Sequence, residues 1–191
     1  MTSTLRQLGV AVRALVLATV VLGVIYPAVV WGFGRLVSDR ADGSFVTAAD
    51  GRVVGSSLIG QEFTGPRWFH PRPSAAGDGY DAMASAGSNL GPSNPELVDE
   101  ITQRQKIAAA ANGVPVADLP PDALTASSSG LDPDISPEYA LLQVDRVARA
   151  RGLDPDQVRH LVDQQTAAQE WGIFGQPRVN VLLLNLALDN M

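Results

Sequence analysis

The sequence predicts an α+β protein with a single N-terminal transmembrane helix, followed by one extracytoplasmic domain with a small sheet and about three helices. Three observations predict this architecture: a charge-free apolar run near the N-terminus, one strong β-hairpin signal, and three helix starts of the same type. The predicted parts are a short N-terminal tail (1–13), the transmembrane helix (14–34) and the soluble domain (35–191).

The N-terminal apolar run has the features of a membrane anchor. Residues 14–33 read ALVLATVVLGVIYPAVVWGF without a charge, and about 20 apolar residues suffice for a helix to cross the hydrocarbon core. Arg13 can extend its guanidinium to the headgroups at one end, while Tyr26 and Trp31 are aromatic types favoured at the opposite interface. Pro27 lies near that second end, where neighbouring helices or water can satisfy the carbonyl that it frees.

A cleaved signal peptide is the alternative to a retained anchor. Its apolar region would be about 7–15 residues long and would precede an A-x-A site, whereas this run is longer and VSDRADG follows without such a site. We therefore expect a single-pass protein of the plasma membrane. A short tail before a long apolar run favours a cytoplasmic N-terminus and an extracytoplasmic domain, although the excess of arginine before the run is slight.

The domain begins with a predicted hairpin. Residues 43–61, GSFVTAADGRVVGSSLIGQ, alternate apolar and polar side chains on both sides of Asp50-Gly51. An Asp-Gly pair between alternating segments is a strong short-range hairpin signal.

Three helices are each predicted to begin with a capping residue, a proline and an acid, which suit the free N–H groups and the positive dipole end of a helix. The starts are Asn94-Pro95-Glu96, Ser136-Pro137-Glu138 and Asp154-Pro155-Asp156, and Gly113 and Gly152 can end the first two helices. The apolar positions expected to face the core are Leu97, Ile101 and Ala108, then Ala140, Leu141, Val144, Val147 and Ala148, then Val158, Leu161 and Val162.

The C-terminal segment from Arg178 reads RVNVLLLNLALDNM. Its apolar run fits either a buried strand or a closing helix, which periodicity alone does not separate. We expect a strand through about Leu183.

Composition excludes several classes of function. A formal charge of −6 and a pI near 4.8 argue against a nucleic-acid partner. The absence of cysteine excludes disulfides, thiolate metal sites and cysteine nucleophiles. The single lysine, Lys106, does not follow a glycine, so the phosphate-binding P-loop pattern is also absent.

No candidate catalytic group stands in a convincing pattern, so we expect no catalytic, cofactor-binding or metal-ligating residue. His70 and His160 lack metal-ligand spacing, the acids Asp78, Asp81, Asp132 and Asp134 lack calcium-loop spacing, and no G-x-S-x-G motif is present. A dyad of Lys106 with Ser85 or Ser88 would make the chain a membrane-anchored extracytoplasmic Ser/Lys peptidase. A stand-alone anchored binding module is the other alternative.

One long turn-rich stretch is predicted to be an ordered loop rather than a linker. Residues 69–94, FHPRPSAAGDGYDAMASAGSNLGPSN, retain Phe69, Tyr80, Met83 and Leu90 among Gly, Pro, Ser, Asp and Asn. Flexible linkers lack such apolar side chains, and loops of this length in compact domains usually serve a function.

This stretch is also part of a resemblance that covers nearly the whole chain. GSSLIGQEF and the stretch just described, then DALTASSSGLDPDISPEYALLQVDRVARARGL and GQPRVNVLLLNLALD, resemble the C subunit of the Kdp potassium-transporting P-type ATPase, the KdpC family. The chain departs from the family pattern at Ser128, where glycine is usual, and at Asp134, where histidine is usual. Asp134 is therefore expected to cap a local turn rather than to support imidazole chemistry.

The resemblance implies an accessory, non-catalytic subunit of an ATP-driven, high-affinity potassium uptake complex. Its implied partners are a potassium-translocating channel-like subunit, an ATP-hydrolysing P-type subunit and a small single-helix subunit, within the lipid bilayer. The family's C subunit is described as a catalytic chaperone that raises the ATP affinity of the hydrolysing subunit. ATP and potassium ion would then be handled by the complex, with neither bound directly by this chain, and coupling would pass through the transmembrane helices.

We expect residues 69–94 and 125–137, here called the loop pair, to form one ordered surface that docks on the outer face of the channel-like subunit. The alternative is that the loop pair only folds the domain. The candidate docking residues are His70, Arg72, Ser74, Tyr80, Asn89, Asn94, Thr125, Ser129 and Asp132.

Overall fold

The computed structural model describes residues 2–191, with side-chain surroundings from Ser3 onward. The chain divides into two compact units, Met1–Ser44 and Phe45–Met191. The first unit is helical, and the second contains both sheets and the remaining helices. The predicted α+β class with one N-terminal apolar helix is confirmed.

The first unit consists of helix α1 (Thr2–Val20), a π-helical turn (Val21–Ile25), helix α2 (Tyr26–Leu36) and the short helix α3 (Ser38–Ala41). Residues Ser3–Leu36 form one span that is long and apolar enough to cross a membrane, and none of its apolar window is buried within the protein. The segment predicted as a tail is helical from residue 2. The side chains of Arg13, Tyr26 and Trp31 are all exposed.

Pro27 explains the π-helical turn. Proline has no N–H group and its ring crowds the preceding turn, so the regular i to i−4 bonding is interrupted. The N–H of Tyr26 instead donates to the carbonyl of Val21, five residues back. The helix thus continues through the proline with one widened turn, which is a common way to accommodate such an interruption.

The second unit has two small antiparallel sheets. Strands β1 (Phe45–Thr47) and β2 (Val53–Ser56) form the first, which confirms the predicted hairpin, and the register shifts between Val46 and Thr47. Strands β3 (Asp134–Ile135), β4 (Thr166–Ala167) and β5 (Arg178–Asn180) form the second, in the order β3-β5-β4.

The three predicted helices are present with their predicted caps. They are α4 (Pro95–Asn112), α5 (Pro137–Arg151) and α6 (Pro155–Gln165), and the side chains of Asn94, Ser136 and Asp154 each accept a backbone N–H in the first turn. Gly113 and Gly152 end α4 and α5 in the left-handed conformation. Leu141, predicted to face the core, is 37% exposed, so that assignment was wrong.

The expected C-terminal strand through Leu183 was also wrong, because the strand stops at Asn180 and a fourth helix, α7 (Val181–Asp189), follows. The Asn180 side chain accepts the N–H of Leu183 at 3.1 Å and thereby starts the helix. The buried positions of α7 are Val181, Leu182, Leu184, Asn185 and Leu188, which follow helical rather than alternating spacing.

Helix α5 lies at the centre of the core. Its Ala140, Val144 and Val147 are fully buried, as are Val158 and Val162 of α6. Strand β5 and helix α7 add Val179 and Leu184, and the loop before residue 70 adds the fully buried ring of Phe69. The long loop is therefore fixed at its first residue by the core itself.

Candidate docking surface

The structure joins the two segments of the loop pair through Arg72. Its Nη1 lies 2.9 Å from Asp132 Oδ2, and its Nη2 donates to the Thr125 carbonyl at 3.3 Å. Both partners of the ion pair are partly buried, with 25% and 31% of their side chains exposed. A charge-assisted pair of this kind holds planar guanidinium and carboxylate groups in a defined orientation.

Ser74 and Tyr80 fix the turn that follows Arg72. The Ser74 hydroxyl donates to the Gly130 carbonyl at 2.6 Å and accepts the N–H of Tyr80 at 2.8 Å. The Tyr80 hydroxyl donates to the Arg72 carbonyl, and burial raises the pKa of Tyr80, so the phenol stays protonated and remains a donor. Further along the loop, the Ser85 hydroxyl donates to the Ser129 carbonyl at 2.9 Å.

Gly130 lets the two segments approach each other. It has a φ of +68°, and a Cβ atom placed on it would lie 2.6 Å from the Ala86 carbonyl oxygen and 2.7 Å from the Ala76 nitrogen. Only glycine combines this conformation with such close backbone contact. The neighbouring Ser128 is exposed and does not have a positive φ, so serine fits there without backbone strain.

Two buried amides clamp the start of the loop. Asn185 on α7 accepts the N–H of Phe69 and donates to its carbonyl, both at 2.9 Å. Gln143 on α5 does the same for His70, at 2.7 Å and 3.1 Å. Each amide side chain therefore bonds both the N–H and the carbonyl of one loop residue, as a neighbouring β-strand would. These buried backbone groups would destabilise the fold if they had no hydrogen-bond partner.

Arg146 on α5 anchors the segment just before this clamp. Its side chain donates to the carbonyls of Pro66 at 2.8 Å and Trp68 at 2.9 Å, to Gln143 Oε1 at 2.6 Å and to Asn112 Oδ1 at 2.9 Å. Arg146 is only 7% exposed, and neutral oxygen atoms of the protein accept the hydrogen bonds of its guanidinium group. Burial lowers the pKa of Arg146.

An open cleft of about 590 Å³ borders the loop pair. Four carboxylates and two guanidinium groups line it, those of Asp122, Asp132, Asp134, Glu138, Arg72 and Arg178. Asp122 accepts the N–H and hydroxyl of Ser136 at 2.7 Å and 3.0 Å. Within the part of the chain that the structure describes, no three His, Asp or Glu side chains converge to hold a metal ion.

Asp134 does not cap a turn, contrary to expectation. Asp132 does so, because its Oδ1 accepts the N–H of Asp134 at 3.1 Å. Asp134 lies on β3, and its Oδ2 is 3.2 Å from Arg178 Nε on the paired strand β5. Burial and then the nearby Asp132 carboxylate raise the pKa of Asp134, against the opposing effect of Arg178.

The structure brings most, but not all, of the candidate docking residues together. Those on the shared face of the loop pair are Arg72, Ser74, Tyr80, Thr125, Ser129 and Asp132. His70 instead lies against α5, with Nε2 2.8 Å from the Gly65 carbonyl oxygen. Asn94 caps α4, and Asn89 bonds within its own turn, where Nδ2 donates to the Gly87 carbonyl at 3.2 Å.

The groups of the alternative peptidase dyad are not paired. Ser85 is committed to the Ser129 carbonyl, and Lys106 is exposed on α4. Across residues 2–191, no hydrogen bond joins Lys106 to Ser85 or Ser88.

Sequence reasoning missed Gln143, Arg146 and Asn185, which position the loop without lying on its surface. A signal was present: Gln143 falls on the apolar stripe of α5, and Asn185 interrupts the run VLLLNLAL. A polar side chain inside an apolar pattern is expected to have a buried partner. The identity of that partner, the Phe69–His70 backbone, required the fold.

Comparison with known proteins identifies the family. The family described as KdpC, the K+-transporting ATPase c chain, matches residues 8–190. The chain belongs to the KdpC family. A potassium-transporting ATPase KdpC subunit from Kineococcus radiotolerans is 54% identical over 188 residues, which is 98% of this chain and 95% of that protein. KdpC subunits from Beijerinckia indica and Mycobacterium tuberculosis are 51% and 48% identical, over 97% of this chain and 94% and 99% of their own lengths.

The KdpC match includes the charge-free apolar run 14–33, both segments of the loop pair and the two amides that clamp the loop, since all of these lie within residues 8–190. The predicted membership of the KdpC family is therefore confirmed, and the match extends from the anchor to α7. A KdpC chain is by name one component of a multi-subunit potassium-transporting ATPase.

Proposed function

We propose that this chain is an accessory, non-catalytic subunit of an ATP-driven, high-affinity potassium uptake complex, which it assembles and stabilises. The match over residues 8–190 supports this best, because it includes both the membrane anchor and the loop pair. The proposed partners are a potassium-translocating channel-like subunit, an ATP-hydrolysing P-type subunit and a small single-helix subunit.

The loop pair is the proposed docking surface on the channel-like subunit. Its support is rigidity: Arg72 to Asp132, Ser74 to Gly130 and Ser85 to Ser129 connect the two segments at three points. A preordered surface loses little conformational entropy on binding. The exposed side chains beside these bonds, above all Met83 at 95% exposure, are then free to contact a partner.

The chain itself is proposed to bind neither ATP nor potassium ion. It raises the ATP affinity of the hydrolysing subunit by favouring one conformation of the complex, with coupling carried by the transmembrane helices. The proposed orientation is a cytoplasmic N-terminus with residues 35–191 outside. A reporter fused after Met191 that is active only outside the cytoplasm tests this orientation, and activity of a cytoplasm-only reporter there would reverse it.

The docking surface is tested with Met83→Arg, because this side chain is exposed and its replacement leaves the connecting bonds intact. The expected result is a loss of the other subunits from the purified complex, and of potassium-dependent ATP hydrolysis. Ile107→Arg on α4, 61% exposed, is the matched control. Full assembly with Met83→Arg, and with the double variant Arg72→Ala and Asn89→Ala, would overturn docking through the loop pair.

The effect on ATP affinity has its own test. Potassium-dependent hydrolysis is measured against ATP concentration with the complete complex and with a complex that lacks this chain. We expect the apparent KM for ATP to be higher without the chain. An unchanged KM would leave an assembly role and remove the chaperone role.

A further inference from the structure

A short turn outside the loop pair presents an apolar tip to solvent. Between β4 and β5, Trp171, Ile173 and Phe174 are 90%, 76% and 60% exposed. Single exposed apolar residues are ordinary, but three large ones within four positions make a contiguous patch, and such patches usually mark interaction sites.

The tip is held rigidly. The N–H of Glu170 donates to the Phe174 carbonyl at 2.9 Å, and the N–H of Phe174 donates back to the Glu170 carbonyl at 3.0 Å. Gln169 Nε2 closes the base by donating to the Gly175 carbonyl at 2.9 Å. The rings of Trp171 and Phe174 meet edge to face at 6.1 Å. Trp171 has a φ of +54°, a conformation that costs free energy in a non-glycine residue.

The base of the tip is continuous with the cleft beside the loop pair. Arg178, at the start of β5, places Nη2 3.3 Å from Glu170 Oε1 and Nε 3.2 Å from Asp134 Oδ2. Gln176, Pro177 and Arg178 line the same cleft as Asp132 and Arg72. The apolar tip therefore stands at one edge of an acidic surface that ends at the loop pair.

The negative charge around the tip favours a protein, rather than a lipid surface, as the binding partner of the tip. Residues 1–44 hold four of the 14 basic residues and two of the 20 acids, so residues 45–191 carry a formal charge of −8. Four of these carboxylates and only two of the arginines line the cleft beside the tip. An anionic bilayer surface would repel this face, whereas lysine and arginine around an apolar pocket would complement it.

Size points to the same conclusion. The three exposed side chains present on the order of 400 Å² of apolar surface, which is about half of one partner's share of a standard protein interface. The aromatic side chains of the tip would then be the central contacts of the interface.

We propose that residues 169–175 insert Trp171 and Phe174 into an apolar pocket, rimmed by basic side chains, on another subunit of the potassium-transporting ATPase. This inference rests on the proposed function, because it requires the complex. It adds a second contact to the loop pair and extends the docking surface across the acidic cleft.

The direct test uses the full-length chain in host membranes that express the complex. Trp171 is replaced by the photoreactive p-benzoylphenylalanine, the membranes are irradiated, and mass spectrometry identifies the adducts. We expect a covalent product with another subunit of the ATPase and none from the matched position Ile107. Lipid adducts alone, or no adduct in assembled complexes, would overturn the inference.

The triple variant Trp171→Ser, Ile173→Ser and Phe174→Ser provides a second readout. Recovery of the other subunits should fall by about tenfold or more, the order seen when central aromatic contacts are truncated, and a thermal melt of the variant checks its fold. Full recovery with the triple variant but loss with Met83→Arg would reject the tip and retain the proposed function. Failure of the wild-type chain to recover any other subunit would reject the proposed function itself.

Discussion

At the scale of single residues, Gly130 determines how closely the two segments of the loop pair approach. Its left-handed backbone is shared by Gly113, with φ values of +68° and +69°. Only Gly130 is also crowded, since a Cβ there would meet the Ala86 and Ala76 backbones below 3 Å, while nothing lies within 4 Å at Gly113. Comparing alanine substitutions at Gly130 and Gly113 therefore separates the cost of the left-handed conformation from the cost of steric crowding.

We predict that Gly130→Ala destabilises the domain more than Gly113→Ala. Both variants incur about 1–2 kcal/mol for the left-handed conformation, and Gly130→Ala adds about 1–3 kcal/mol of overpacking. Thermal unfolding of the full-length chain in mild detergent measures both. Equal melting temperatures for the two variants would show that the loops are not packed this closely.

His70 makes stability depend on pH. Burial, and then the nearby Arg146 cation, lower the pKa of His70 below its ordinary 6.5, against a hydrogen bond to Gly65 that raises it. The unfolded chain therefore binds a proton first as pH falls. The stabilisation from neutral His70 is complete above the unfolded pKa and is lost as pH falls through about 6.5 towards the folded pKa.

The expected result is a lower free energy of unfolding at pH 5.5 than at pH 7.5. The slope attributable to His70 stays well below the limit of about 1.4 kcal/mol per pH unit, because the ring is half-buried and solvent screens Arg146. Urea unfolding of wild type, His70→Gln and the exposed control His160→Gln measures it. The slope should flatten only for His70→Gln, and an equal slope in all three would assign it to other groups.

At the scale of elements, the long loop is attached to helices α5 and α7 rather than to a sheet. Gln143 and Asn185 bond the backbone of two consecutive loop residues on both sides, and Arg146 bonds the carbonyls before them. Helices α5 and α7 therefore fix the position of the start of the loop pair. The first two residues of this 26-residue loop are thus fixed between two helices, and the bonds of Arg72, Ser74 and Ser85 to residues 129–132 hold the part that follows.

Asn185→Leu tests this attachment. Leucine keeps the volume but leaves the Phe69 N–H and carbonyl buried without partners, and we expect a loss of about 2–4 kcal/mol. That corresponds to a melting temperature lower by roughly 4–16 °C for a chain of this size. The control Asn190→Leu removes an exposed amide bond only and should change stability by no more than about 0.5 kcal/mol. Similar melting temperatures for both variants would contradict the clamp.

Elements that are bounded by characteristic turn and capping residues could be predicted from the sequence. The Asp50-Gly51 hairpin and the helices after Asn94, Ser136 and Asp154 are specified by local turn and capping residues. The end of the chain was misread because Asn180 belongs both to a three-residue strand and to the cap of α7. In an apolar run, only tertiary pairing of β5 with β3 and β4 determines where the strand stops.

The surface was less predictable than the elements. The sequence predicted that the loop pair is ordered and forms one surface, but the specific hydrogen-bond partners are 44 to 60 positions apart in the sequence, which no local pattern encodes. The exposed tip at Trp171 gave no signal in sequence, because an aromatic residue is ordinarily assigned to a core. Burial and exposure at these sites follow from the fold alone.

At the scale of the whole molecule, an apolar helix of membrane-spanning length precedes a domain of formal charge −8. The domain presents a rigid polar loop pair, an acidic cleft and an apolar tip as one continuous surface. This distribution fits a protein that is held at a membrane and acts by contact with other subunits. The KdpC family match names a potassium-transporting ATPase as the complex in which the proposed contacts would be made.

The most direct measurement is affinity purification of the tagged full-length chain from potassium-starved host membranes in mild detergent, with mass spectrometry of the proteins that accompany it. Membership of a potassium-transporting ATPase predicts recovery of a P-type ATPase and a large polytopic partner in fixed proportion to the chain. Recovery of the chain alone, from membranes in which those partners are expressed, would contradict its role as a subunit.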